Sequence, residues 1–289
     1  MIAANKPYDS EDGNEYRCEE SGLYSVLDHG YLRVIEMWGS DQMIIESARM
    51  STGKGFLGWD AGPCPSCAGH GFIQKNDNDS FKCHDCNGKG QILGDAKLLR
   101  YLYEHKHSTP FEFAGLTIEV QAPIMVFREW HRHRTQSYSE MSARYVQMPN
   151  LHYLPSVQRI IDSAKKSANK QASGEGALSI PDENIADEQK VAERVRHLIR
   201  AEQQRIYTLY AQLLSFGVSK EIARLDTPVS RYSRMRATAN LRNWLAFLTL
   251  RMDPTAQFEI RQYAWCVADV IDKEFPRTYK LFCGGKHHG

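Results

Sequence analysis

Apolar positions along the chain recur with two different periods, and the switches between them outline a mixed fold. Residues 31–38 have strand content. Gly39, Ser40 and Asp41 then supply a start signal for a short helix running through Ser47 and Arg49, with Met43, Ile44 and Ile45 partly buried. From Asp95 to His105, Leu98, Leu99, Leu102 and Tyr103 fall at helical spacing. Pro110 ends that helix because it drives Thr109 away from helical geometry. Residues 111–120 alternate, with Leu116, Ile118 and Val120 on one strand face. The apolar run 122–127 reads as a buried element, and Pro123 can open a helix that continues through Trp130.

The second half is dominated by helical periodicity. Val195, Leu198, Ile199, Ile206, Leu209, Leu213 and Leu214 form the apolar stripe of a long helix over about 188–216, which Gly217 ends. Ser219 can cap a further helix carrying Glu221 and Arg224. Residues 230–239 alternate enough for a strand, 240–250 are apolar and helical, and Asp253-Pro254 precede a last long helix over about 255–274. The fold class this predicts is α+β, a mixed core with long C-terminal helices, rather than a doubly wound sheet. One main domain over 23–289 follows a poorly ordered lead-in over 1–22. Low hydrophobicity predicts a mobile loop over 162–190.

Cysteine spacing adds a small inserted ribbon over 61–93. Cys64-Pro65-Ser66-Cys67-Ala68-Gly69-His70-Gly71 and Cys83-His84-Asp85-Cys86-Asn87-Gly88-Lys89-Gly90 share the pattern Cys-x-x-Cys-x-Gly-x-Gly, with 15 residues between the two pairs. Thiolates two residues apart reach one ion across a tight turn, and the glycines permit the backbone such a turn needs. Cys64, Cys67, Cys83 and Cys86 are therefore expected to hold a structural Zn2+, as a staple that folds the insertion. The halves resemble the cysteine-rich repeats of the DnaJ chaperones. What else the ribbon binds is not legible in the sequence. The other three of the seven cysteines, Cys18, Cys266 and Cys283, are scattered, which fits a reducing, cytoplasmic setting better than a disulfide framework. No apolar run is long enough to span a bilayer. The formal net charge of +1 argues against a dominant nucleic-acid surface.

The chemistry concentrates in residues 132–144, where arginines alternate with hydroxyls and one carboxylate, directly after the apolar run. A planar guanidinium donates two parallel hydrogen bonds to a phosphate or carboxylate. This stretch resembles the flavin-dependent thymidylate synthases: Arg132-His133-Arg134 followed, after seven residues, by Ser142. The resemblance extends through residues 107–112 and 251–253 and covers most of the chain outside the two insertions. It implies reductive methylation of dUMP to dTMP at uracil C5. Methylenetetrahydrofolate would be the carbon donor, and FAD reduced by NADPH the hydride source. It also implies a homotetramer with shared active sites.

Carried over position by position, Arg132, His133 and Arg134 contact the flavin and shape the folate side. Glu129, Glu140, Ser142, Ala143, Arg144, Arg224 and Arg251 bind dUMP, Arg144 at the phosphate and Arg251 over the pyrimidine. Ser51, Thr109, Glu112, Asn240 and Arg242 match FAD-binding positions. Arg251, His107 and His133 are the candidate catalytic residues. Glu129 stands where the family often has glutamine, Phe113 where histidine is frequent, and Ala246 and Thr255 where some relatives carry polar or histidine side chains. Two other readings remain open. One is a pyrimidine nucleotide 5-hydroxymethylase on the same scaffold; the other is a zinc-ribbon nucleic-acid-binding protein with a degenerate enzyme core.

Overall fold

A computed structural model of the chain describes residues 16–19, 22–76, 79–166, 174, 176–180 and 186–284. The fold is α+β. It divides into two compact units: Met1–Val34, Ile118–Ala237 and Thr249–Cys266 in the first, and Ile35–Thr117, Thr238–Leu248 and Val267–Gly289 in the second.

In chain order, β1 (Tyr16–Cys18), β2 (Tyr24–Val26) and β3 (Gly30–Trp38) come first, followed by α1 (Asp41–Arg49). The ribbon holds β4 (Gly62–Pro63), β5 (Phe72–Asn76), β6 (Asp79–Lys82) and β7 (Gln91–Ile92). Then come α2 (Asp95–Glu104), β8 (Gly115–Pro123), α3 (Ile124–Trp130), β9 (Ser137–Glu140), α4 (Val157–Ala164), α5 (Glu188–Ser215) and α6 (Lys220–Ala223). The chain ends with β10 (Tyr232–Asn240), α7 (Leu241–Arg251), α8 (Phe258–Glu274) and α9 (Pro276–Gly284). Six strands form one sheet in the order β1-β2-β3-β8-β10-β9; β3, β8 and β10 each have residues in both units.

In the first unit, β1, β2 and β3 are an antiparallel meander, with Tyr24 opposite Leu32 and Tyr16 opposite Val26. Alternation places Ile118, Val120 and Ala122 of β8 and Met235 and Ala237 of β10 in the core. The intervening Glu119 accepts from the Tyr31 hydroxyl at 2.9 Å and pairs with Arg33 at 2.9 Å. The predicted lead-in is partly structured: Tyr16–Cys18 is strand β1, because ladder bonds to β2 satisfy its backbone, while residues 1–15, 20 and 21 lie outside the described residues.

The predicted loop over 162–190 also begins and ends inside helices. Ser156 caps α4 by accepting from the Arg159 amide at 3.1 Å, and Asp187 caps α5 by accepting from the Gln189 and Lys190 amides. Residues 167–173, 175 and 181–185 of that loop lie outside the described residues. The helix α5 spans 28 residues, but its buried side chains are Val191, Ala192, Gln203 and Tyr210, and the expected stripe residue Leu198 is exposed. Gln203 is drawn inward because its amide donates to the Tyr153 carbonyl at 2.9 Å, a polar anchor that apolar periodicity does not register.

In the second unit, α1, α2 and α9 pack against one another. Asp41 is buried at the start of α1 and accepts from the Arg277 and Thr278 amides of α9, at 2.8 and 3.2 Å. Trp244 of α7 is fully buried, and its indole donates to the Leu116 carbonyl at 3.0 Å.

Candidate active site

In the first unit the site begins where α3 ends. Trp130 is fully buried, and its indole N–H donates to Oε1 of Gln136 at 3.0 Å, pinning the turn that carries Arg132, His133 and Arg134. The Tyr138 hydroxyl, on β9, lies 2.7 Å from the His133 carbonyl and 3.1 Å from the Trp130 carbonyl, closing the turn from its far side. Burial pushes the Tyr138 phenol up to about 12, so it stays protonated as a donor.

Arg251, the last residue of α7, meets this turn with its whole guanidinium. Its Nε donates to Nε2 of His133 at 2.8 Å, its Nη1 to Oε2 of Glu129 at 2.8 Å and its Nη2 to the Glu129 carbonyl at 2.9 Å. Burial holds the His133 pKa down to about 4, and the Arg251 cation beside it pushes the same way, against the opposing pull of Glu129. The imidazole is therefore neutral near pH 7, and its Nε2 lone pair is the acceptor that the Arg251 contact requires. An arginine has five N–H groups; three are spent on the protein and two on Nη1 and Nη2 remain for a ligand.

Downstream, Glu140 accepts from the Ser233 hydroxyl at 2.8 Å, and Oγ of Ser142 accepts from the Arg144 amide at 3.3 Å. Ala143 is buried between half-buried Ser142 and exposed Arg144. The Arg144 guanidinium pairs with the Glu221 carboxylate at 3.3 Å, both side chains about half exposed. Glu221 lies on α6, and Arg224 is the first residue past that helix. An exposed pair of this kind contributes about 0–1 kcal/mol, so a phosphate can displace Glu221 at little cost.

The second unit carries the other predicted positions. Thr109 and Glu112 lie on a short 3-10 turn, and Glu112 accepts from Nη1 of Arg242 at 2.9 Å. Asn240 caps α7 by accepting from the Asn243 amide at 3.0 Å. Ser51 and His107 line a cavity of about 580 Å3 together with Arg49, Lys54 and Lys97. His107, predicted as catalytic with Arg251 and His133, belongs to this unit rather than theirs. Two features of the first unit carried no signal in residue spacing. They are the Tyr138 clasp and the partnership of Glu221 with Arg144. A third is Arg231, which in sequence reads, with Arg234 and Arg236, either as a solvated strand face or as a contact with a neighbouring subunit. It is instead fully buried over the Tyr210 ring at 4.6 Å and donates to the Pro149 and Met148 carbonyls.

The four clustered cysteines are all buried, and their Sγ atoms lie within 4.8 Å of one another. The two halves are near copies: the Gly71 amide donates to Sγ of Cys67 at 3.2 Å and the Gly90 amide to Sγ of Cys86 at 3.3 Å. Gly71 and Gly90 both have positive φ, and a Cβ on either would run into the carbonyls of Gly88 and Gly69. Ile73 and Ile92 cover the cluster. Four soft sulfur ligands, two of them accepting amide N–H hydrogen bonds, are the chemistry of a tetrahedral site that could hold one metal ion.

Comparison with known proteins adds an independent line. The sequence model of the family described as Thymidylate synthase complementing protein matches residues 33–277. A flavin-dependent thymidylate synthase of Thermosipho africanus is 32% identical over 90% of this chain and 93% of its own. One from Thermus thermophilus is 35% identical over 89% of this chain and 77% of its own. Among solved structures, the UMP/dUMP methylase PolB of Streptomyces cacaoi, bound with 5-Br dUMP, superposes with a TM-score of 0.63 at 29% identity. That match covers 89% of this chain and 96% of PolB.

Proposed function

The chain belongs to the flavin-dependent thymidylate synthases, and from that membership we propose how its residues divide the work of methylating dUMP at uracil C5 to give dTMP. The observation that carries the reading is Arg251, held by Glu129 and His133 with two N–H groups left over. FAD, reduced by NADPH, would supply the hydride, and methylenetetrahydrofolate the carbon. The residues of each unit suit an anionic dinucleotide: in the second, Ser51 and His107 line a cavity bordered by three cations; in the first, taken by itself, Arg132 and Arg134 are exposed. Thr109, Glu112, Asn240 and Arg242 complete the FAD-binding set.

Arg144 and Arg224 take the 5′-phosphate of dUMP, Arg144 exchanging Glu221 for it. Ser142 and Ala143 follow the sugar and phosphate, and Glu140 is oriented for the nucleotide by Ser233. Arg251 donates its spare N–H groups to a uracil carbonyl and stabilises the negative charge that develops on the ring. Its three protein contacts fix it beforehand, so no reorganisation is needed as that charge forms. Neutral His133 holds Nε rather than competing as a cation. Cys266 is buried, with its thiol donating to the Gln262 carbonyl at 3.2 Å, and no protein thiol is assigned a role in bond formation.

The four-cysteine cluster holds a structural zinc in this reading. None of the seven cysteines is in a disulfide, which suits a cytoplasmic setting in this reading, and among the described residues no helix is long and apolar enough to cross a membrane. Assembly as a homotetramer with shared sites would cover the partly exposed Ile35 and Met37 of β3. The test is a titration of dUMP, and in parallel UMP, into FAD-loaded protein while following flavin absorbance. Saturable perturbation in the wild type, with Arg144→Ala needing at least tenfold more dUMP, supports the assignment. Failure to bind flavin, or equal dUMP affinity in the variant, overturns it.

A further inference from the structure

The ribbon adjoins the cavity that Ser51 and His107 line. Nζ of Lys54 donates to the carbonyl of Asp85, which sits between Cys83 and Cys86, at 3.1 Å. The Asp85 carboxylate accepts from the Ser66 hydroxyl of the other knuckle, so both halves of the ribbon stand behind that carbonyl. Leu93 and Gly94, where the ribbon rejoins the chain, form part of the cavity wall. Asp95 follows them, completely buried, and accepts from Nε of Arg49 at 3.0 Å and from the Leu57 amide at 2.7 Å. The cavity is bordered by Arg49, Lys54 and Lys97, and none of its described lining residues is a carboxylate. Asp95 neutralises Arg49, which leaves the two lysines as its net charge. An ammonium has three donors; Lys54 spends one on Asp85 and keeps two.

We infer that the cysteine knuckle positions Lys54 in an anion-binding subsite, and that metal occupancy of the ribbon sets the affinity of this subsite for the pyrophosphate of a dinucleotide. The dinucleotide is FAD in the reading above, on which this inference rests. A lysine stem is rotamer-rich, and anchoring its head before the ligand arrives removes freedom that binding would otherwise have to remove. The anchor is a backbone carbonyl whose place depends on Cys83 and Cys86 being drawn to one ion, because a site of this kind orders only with its metal. Lys97 supplies the second charge from α2.

The experiment measures FAD dissociation constants by flavin fluorescence on the full-length protein, zinc-loaded and after chelation, for the wild type, Lys54→Met and Lys97→Met. Inorganic pyrophosphate serves as a second probe by calorimetry. Each lysine variant should bind FAD about tenfold or more weakly with its metal content unchanged, the scale of one charge-assisted hydrogen bond. Chelation should weaken the wild type to a similar degree and add nothing in Lys54→Met. If chelation unfolds the protein, seen as lost near-ultraviolet dichroism, the metal-loaded lysine variants carry the decision. Wild-type affinity in Lys54→Met, or additive effects of substitution and chelation, would overturn the inference. Pyrophosphate separates the two failures. Pyrophosphate binding that needs Lys54 and metal, without any FAD binding, overturns the flavin reading and keeps the subsite.

Discussion

Replacing Arg251 with methionine tests the core of the site without adding bulk or charge. Three hydrogen bonds disappear, at 2.8, 2.8 and 2.9 Å, two of them to Glu129 and one to His133. Bonds to a charged group contribute about 1.5–3 kcal/mol each. Glu129 is about one-third exposed, however, so water re-solvates its freed carboxylate and screens part of the lost attraction. The expected net loss is about 2–4 kcal/mol at pH 7, read from urea denaturation. The variant also removes the second of the two influences that depress His133, leaving burial, so the histidine pKa rises from about 4. The pH dependence follows by linkage. The unfolded chain takes up a proton near pH 6.5 while the folded site resists until about 4, so the unfolded state binds more protons in that window. Wild-type stability from this residue is complete above pH 6.5 and is lost as pH falls toward 4; the variant loses it over a narrower range. Histidine NMR titration reports the shift directly. A stability change under about 1 kcal/mol together with an unmoved His133 titration would refute the argument that these contacts fix the guanidinium.

Three further outcomes follow from the geometry. Arg144→Ala should leave thermal stability within about 0.5 kcal/mol, since its pair with Glu221 is exposed, while weakening dUMP binding about 10–100-fold by calorimetry. Asp95→Asn should cost about 3–5 kcal/mol in a denaturant melt, because Arg49 and the Leu57 amide lose a buried anionic partner. Cys64→Ser should lower bound zinc to substoichiometric levels by metal analysis. It should also raise amide exchange through residues 62–92 while leaving the Trp130–Tyr138 turn protected, as measured by hydrogen-exchange mass spectrometry.

Patterns that act over a few residues were legible in the sequence. Alternation in β8, the cap signals of α1, the glycine after α5 and the paired cysteines each depend on local backbone chemistry, and each has its counterpart in the fold. Features that depend on distant partners were not. Residues 137–140 are assigned no element from the sequence and become edge strand β9 in the six-stranded sheet, with the Met141 amide donating to the Arg234 carbonyl just beyond it. Arg231 is one of three arginines in a strand-like stretch, and nothing local to the sequence shows that Tyr207, Tyr210 and two carbonyls enclose it. Leu198 fits a helical stripe, yet the buried face of α5 is set by Gln203 and Tyr210. At the site, Arg-His-Arg and Arg251 stand out as residue types, but nothing in their spacing shows that Arg251 binds His133 and Glu129 at once. The Glu129 carboxylate, in a place where glutamine is frequent, acquires a physical role only when its ion pair with Arg251 is seen.

The central claim is tested most directly by the mass of the nucleotide after incubating the purified protein with dUMP, methylenetetrahydrofolate, FAD and NADPH. The account predicts a gain of one methylene unit, giving dTMP, with no product from Arg251→Met. A hydroxymethylated nucleotide, or unchanged dUMP with flavin loading verified, would contradict it.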